Sequence, residues 1–142
     1  MKLSTRGKYG LYAMYYLAVH NGEGPQTLQS ISTVGVPKQY LEQILGNLRR
    51  AGLVSTVRGA QGGYQMADDP AQVTLRDIID AVEGPIELSE CAQTETACRK
   101  SSTCPVRWVW QRVTDSINNE LEKIKLSDML KQPCESEEKK HE

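Results

Sequence analysis

Blocks of helical periodicity separated by short polar or glycine-rich breaks make up most of this chain, and only one block alternates with the two-residue period of a strand. Leu11, Met14, Leu17 and Ala18 recur at helical spacing behind Ser4 and Thr5, which suit a helix N-terminus, and the pattern gives out at Asn21, Gly22 and Gly24. A short second helix is predicted over residues 27–33, with Leu28 and Ile31 inward and Gly35 as the stop. Pro37 suits the first turn of a third helix that reaches about Ala51, buries Leu41, Ile44, Leu45 and Leu48, and ends at Gly52. Its polar N-terminal face carries Lys38, Gln39, Glu42 and Gln43.

Residues 53–57 then alternate as a strand, residues 58–63 form a glycine-rich turn, and residues 64–66 can return. Helix, tight turn, helix and hairpin together describe a winged helix-turn-helix unit. A fourth helix over 74–83 places Leu75, Ile78, Ile79 and Val82 inward and is ended by Gly84 and Pro85. From Cys104 onward Val106, Trp110, Val113, Ile117, Leu121 and Ile124 form a near-heptad stripe with polar residues between them. A helix of about twenty residues is some 30 Å long and would overhang a small winged domain, so the stripe predicts pairing with a second copy. Trp108 and Trp110, on different faces of that helix, read as packing residues.

The expected fold class is therefore mostly α with a small β-hairpin: a winged helix-turn-helix domain plus a long dimerisation helix. In linear terms, 1–84 is the DNA-binding domain, with the helix-turn-helix at about 27–51 and the wing at about 53–67. Residues 85–103 form an aperiodic polar loop, 104–131 the dimerisation helix and a short C-terminal helix, and 132–142 a charged, disordered tail.

Charge sharpens the picture. The net value over 142 residues is only −1, but residues 1–67 hold seven Lys and Arg against two acids, whereas residues 68–142 hold ten against sixteen. A basic half is the electrostatic footprint of phosphate binding. The N-terminal helix of a helix-turn-helix pair supports the second, whose first residues meet base edges, and an arginine in a narrow hairpin reaches phosphate or the minor groove; Arg58 is placed for that contact. Enzymatic readings lack residues to carry them, since the histidines are His20 and His141 and neither a phosphate-cradling glycine motif nor G-x-S-x-G occurs.

Cys91, Cys98 and Cys104 lie within fourteen residues, spaced C-x6-C-x5-C, and Cys134 falls in the tail. The N-terminus has no apolar signal-peptide core and no segment approaches the length of a membrane span, so the chain reads as cytoplasmic with its thiols reduced. Thiolates anchoring a polar loop next to a dimer helix make that loop orderable by a metal. An iron-sulfur cluster, a structural zinc and a thiol redox switch all use such a set.

The segments Lys2-Leu3-Ser4-Thr5-Arg6-Gly7-Lys8-Tyr9, Tyr40-Leu41-Glu42-Gln43-Ile44-Leu45, Arg50-Ala51-Gly52-Leu53-Val54, Val57-Arg58-Gly59 and Gly62-Gly63-Tyr64, with the three cysteines, resemble the IscR-type winged-helix regulators that carry an iron-sulfur cluster. The resemblance covers about residues 1–131. It implies a homodimer on a two-fold operator in double-stranded DNA, with one cluster per subunit, of the 2Fe-2S type, held by Cys91, Cys98 and Cys104 and controlling genes of cluster assembly or stress. It further implies operator contacts from Ser4, Thr5 and Lys8 in the first helix and Leu28 in the second. On the third helix it implies Pro37, Lys38, Gln39, Tyr40, Glu42, Gln43 and Arg49, and in the wing Arg58, Gly59, Gln61, Gly62, Gly63 and Tyr64. Two departures leave the fourth cluster ligand open. Arg107 stands where several members have a histidine, and Lys8 occupies the neighbourhood where NsrR-like relatives have an acid. Cys134, Glu87, Glu90, His20 or an external ligand remain as alternatives.

Glu42 is unusual on a helix meant for phosphate-lined grooves. A carboxylate there is repelled unless it accepts a hydrogen bond from cytosine, so it selects by exclusion as well as attraction. The resemblance implies that it separates two operator classes. Glu42→Ala is expected to broaden the set of duplexes bound; an unchanged preference in a competition binding assay would refute this.

Overall fold

A glycine on the inward face of the first helix permits a close helix-helix approach in the core. The computed structural model describes residues 4–85 and 105–131. Helix α1 (Thr5–Val19) turns Gly7, Gly10, Ala13, Met14, Leu17 and Ala18 inward. A Cβ added at Gly10 would stand 3.1 Å from a Val82 methyl carbon, so the missing side chain is what lets α4 (Leu75–Glu83) lie against α1. Glycine in a helix interior costs up to about 1 kcal/mol relative to alanine, and the close packing it permits offsets that loss.

Helix α2 (Leu28–Ile31) and a 3-10 turn (Ser32–Val34) lead to α3 (Lys38–Arg50). The single helix predicted over 27–33 is split because its hydroxyls turn back on the backbone: Ser32 Oγ donates to the Gln29 carbonyl at 2.6 Å and Thr33 Oγ1 to that of Ser30 at 2.7 Å. Such local bonds tighten the last turn. Thr27 Oγ1 caps α2 by accepting from the Ser30 amide at 3.1 Å, and Gly35, at φ 94°, supplies the left-handed stop. Pro37 stands just outside α3 as its N-cap, with φ −58° and ψ 138°, and not inside the first turn as expected. Its extended ψ aims the Pro37 carbonyl at the amides of Tyr40 and Leu41. Gly52, at φ 81°, ends the helix as predicted.

The wing is the antiparallel pair β1 (Val54–Val57) and β2 (Gly63–Met66), in register Val54 to Met66 through Val57 to Gly63. It is docked by two backbone bonds outside the hairpin: the Gln26 amide donates to the Tyr64 carbonyl at 2.7 Å and the Tyr64 amide to the Gln26 carbonyl at 2.8 Å. A 3-10 turn (Pro70–Gln72) then leads to α4, whose start is fixed by a capping box between Thr74 and Asp77.

The long helix α5 (Pro105–Lys123) runs 19 residues, and α6 (Leu126–Leu130) returns to the winged unit. Leu126 is fully buried, its amide donates to the Val73 carbonyl at 2.8 Å, and the Leu75 amide donates to the Ile124 carbonyl at 2.9 Å. The core is therefore one cluster: Ala13, Met14, Leu17, Ile31, Leu41, Ile44, Leu45, Leu48, Ile78, Val82 and Leu126. The structure thus draws residues beyond 104 into the packing of the winged domain. The outer side of α4 is acidic. Burial pushes the Asp80 carboxyl above its ordinary value, Arg76 pulls it back, and Asp77 and Glu122 add to the rise. No helix among the described residues is long and apolar enough to cross a membrane.

Gly63 is where the wing meets the Gln26 strap. Any Cβ there falls inside contact distance of the Gln26 carbonyl, and the residue's φ of 156° disfavours side chains as well. Gly63→Ala is expected to cost about 2 kcal/mol, read as a lower midpoint in urea unfolding; an unchanged midpoint would show that the docking does not matter to stability.

Candidate nucleic-acid interface

Helix α3 has a sharp division of faces. Leu41, Ile44, Leu45 and Leu48 are at most 1% exposed, while Lys38, Gln39, Tyr40, Glu42 and Gln43 face solvent at its N-terminal half. Burying the stripe fixes the helix in rotation, so the polar face is held outward without needing contacts of its own. Arg49 and Arg50 are exposed at the C-terminal end, where Arg50 donates to the Asn47 side-chain oxygen.

At the wing tip Arg58, Gly59, Ala60 and Gln61 are exposed. The Gly62 amide donates to the Gly59 carbonyl at 3.1 Å to close the turn. A side chain at Gly62 would overlap the Val57 carbonyl, so Gly62 and Gly63 serve the shape of the hairpin, and the chemistry offered at its tip is that of Arg58 and Gln61.

Helix α1 contributes a third edge. Thr5, Arg6 and Lys8 are exposed, and Thr5, Arg6, Tyr9 and Tyr40 line an open cleft of about 270 Å³ where the starts of α1 and α3 meet. The Tyr9 and Tyr40 rings lie 6.3 Å apart at 36°, a tilted pair that ties the two helices at the surface. Arg6 and Tyr9 were not singled out by sequence reasoning. Their spacing from Thr5 held a signal, since Thr5 and Tyr9 are one helical turn apart, but only the packing of α1 on α3 brings Tyr40 beside them.

Five of the expected contacts, Ser4, Leu28, Gly62, Gly63 and Tyr64, are half-buried. Leu28 and Tyr64 are half-buried against the core. Ser4 sits at the N-cap of α1, yet its hydroxyl makes no cap bond and is buried with no hydrogen-bond partner among the described residues. Its amide instead donates to Glu83 Oε1 at 2.8 Å. The remaining expected residues, Thr5, Lys8, Pro37, Lys38, Gln39, Tyr40, Glu42, Gln43, Arg49, Arg58, Gly59 and Gln61, are all exposed.

Cys91, Cys98 and Cys104, with Glu87, Glu90, Cys134, the loop at 85–103 beyond its first residue and the tail at 132–142, lie outside the described residues. Among the described residues no group of three His, Cys, Asp or Glu side chains is placed to hold a metal ion. His20, considered as a ligand, has its Nδ1 2.7 Å from Glu23 Oε2 and its ring 4.2 Å from that of Tyr16.

A family model described as an iron-dependent transcriptional regulator, Rrf2, matches residues 3–132. The chain belongs to the Rrf2 family. It is 40% identical over 130 residues to the HTH-type transcriptional regulator CymR of Bacillus subtilis, covering 91% of this chain and 89% of that protein. The solved structure of T. potens IscR superposes with a TM-score of 0.77 at 42% identity, over 96% of this chain and 90% of that one. The structure of CymR, described as the global cysteine regulator of B. subtilis, gives 0.73 at 39% identity, over 91% and 95%. The protein is thus a winged-helix transcription regulator of the Rrf2 family and not an enzyme.

Arg58→Ala is expected to weaken binding about equally across DNA sequences and to reduce the slope of log K against log salt by about 1. An unchanged slope in binding titrations across salt concentrations would remove Arg58 from the phosphate contacts.

Proposed function

We propose that the protein is a cytoplasmic homodimer that binds a two-fold operator through α3 and the wing, and that an iron-sulfur cluster of the 2Fe-2S type, one per subunit, controls this binding through Cys91, Cys98 and Cys104. One observation carries the reading: a chain 42% identical to T. potens IscR over nearly its whole length places three cysteines within fourteen residues just ahead of α5. Three thiolates suit the sulfur-rich shell of such a cluster and leave one iron position for another ligand. When bound, the cluster would supply redox chemistry and sensitivity to its own supply, oxygen or nitric oxide.

What the chain's own residues do can be followed without it. The buried stripe of α3 orients Gln39, Glu42 and Gln43 outward, and the bonds between Gln26 and Tyr64 fasten the hairpin that carries Arg58. A second copy is favoured by α5, where Val106, Trp110 and Val113 are 53%, 38% and 39% exposed, and Val113, Ile117 and Leu121 line an apolar groove with Arg112, Ser116 and Glu120. Trp108 is 62% exposed, and the Arg112 guanidinium carbon lies 5.6 Å from its ring centroid. Pairing along α5 buries the stripe and presents two α3 helices, and half-sites about 34 Å apart are what such dimers read.

The similarity to CymR supports a second reading, a regulator without a cluster whose cysteines respond as thiols or which is controlled by a protein partner. Protein purified without oxygen separates the two. A coloured wild type with matched iron and sulfide, and a colourless Cys91→Ala, Cys98→Ala, Cys104→Ala variant, is the expected result. A colourless, iron-free wild type that still binds DNA would move the assignment to the second reading.

A further inference from the structure

Helix α1 lacks the usual devices at its N-terminus. Its first turn carries no acidic residue, and the Ser4 hydroxyl makes no cap bond. The need is nevertheless met from another element. Glu83, the last residue of α4, accepts the Ser4 amide proton at 2.8 Å, a bond between residues 79 positions apart. Ser4 is held on its other side as well, because its carbonyl accepts from the Gly7 and Lys8 amides at 3.1 and 3.3 Å and so closes the first turn. A carboxylate at this position also complements the positive end of the helix dipole.

That turn is the part of α1 on the DNA side. Thr5 and Arg6 line the cleft shared with Tyr9 and Tyr40, and Lys8 is exposed one turn along. Glu83 itself lies on α4, which is anchored at its opposite end by the Leu75 bond to the Ile124 carbonyl and along its length by the contact of Val82 with Gly10. A helix held at both ends is a firm support for a bond at its tip.

We propose that Glu83 is a positioning residue for operator binding: through the Ser4 amide it holds the first turn of α1 in the conformation that presents Thr5, Arg6 and Lys8 beside the recognition helix. The inference rests on the operator-binding reading above. Without the bond the turn frays, and the DNA must reorder it on binding, which lowers apparent affinity by the fraction of molecules that are ordered beforehand.

The test uses the full chain and a duplex enriched by the wild type from a random-sequence library. Glu83→Ala removes the acceptor. Ser4→Pro removes the donor, and the φ of −72° at Ser4 suits proline. Each is expected to weaken binding by about tenfold, in line with one hydrogen bond to a charged group, and the double variant is expected to fall no further than either single one. Glu83→Gln, which keeps an acceptor, is expected to bind nearly as the wild type does.

Amide hydrogen exchange separates positioning from general stability. In Glu83→Ala the Gly7 and Lys8 amides should exchange faster while those of Leu45 and Leu48 stay protected. Wild-type affinity in both single variants, independent losses that multiply in the double, or first-turn and core amides that speed up together would each overturn the proposal. If Ser4→Pro loses helix content, the contrast between Glu83→Ala and Glu83→Gln decides it alone. A wild type that enriches no sequence would overturn the operator reading itself, whereas a wild type that binds beside indifferent variants overturns only the tether.

Discussion

Everything the surface offers to DNA depends on how α3 is seated. Four large aliphatic side chains on one stripe, Leu41, Ile44, Leu45 and Leu48, are lost from solvent between α1 and α4. Each contributes on the order of 1.5–3 kcal/mol relative to exposure, so rotating the helix to offer another face would forfeit most of its stabilisation. The polar residues of α3 are consequently free to serve recognition: their orientation is set by what lies behind them.

The wing shows the same separation of support from chemistry. Its hairpin is only four residues a side, too short to hold a fixed attitude alone. Reciprocal backbone bonds between Gln26 and Tyr64 extend it into a third strand-like contact and fasten it to the segment joining α1 to α2. Gly62 and Gly63 are required because backbone passes too close for a side chain. Arg58 and Gln61 ride on this frame.

The end of the described chain closes a circuit. Helix α5 leaves the winged unit with most of its apolar stripe in solvent, yet α6 comes back to bury Leu126 against α1 and the 3-10 turn ahead of α4. The Leu75 amide bond to the Ile124 carbonyl joins the start of α4 to the end of α5, while Glu83 at the tip of α4 accepts from the Ser4 amide ahead of α1.

Much of this architecture was legible in the chain. The periods of 3.6 and 2 and the glycines at 35 and 52 located the helices and the hairpin, because those signals are local and each follows from burying one face of a regular element or from ending it. The motif resemblance fixed the family class as well. Local side-chain bonds and tertiary packing decided the rest. Hydroxyl bonds divided the second helix, and Pro37 moved outside the third. Arg6 and Tyr9 came to line a cleft with Tyr40, Leu126 joined the core, and Ser4 gave its amide to Glu83 in place of capping with its hydroxyl. None of these follows from a periodic pattern, and the last three depend on which residues distant in sequence come into contact. The sequence by itself determined which faces had to be hidden; the folded structure decided what those hidden faces meet, and so which exposed side chains stand together.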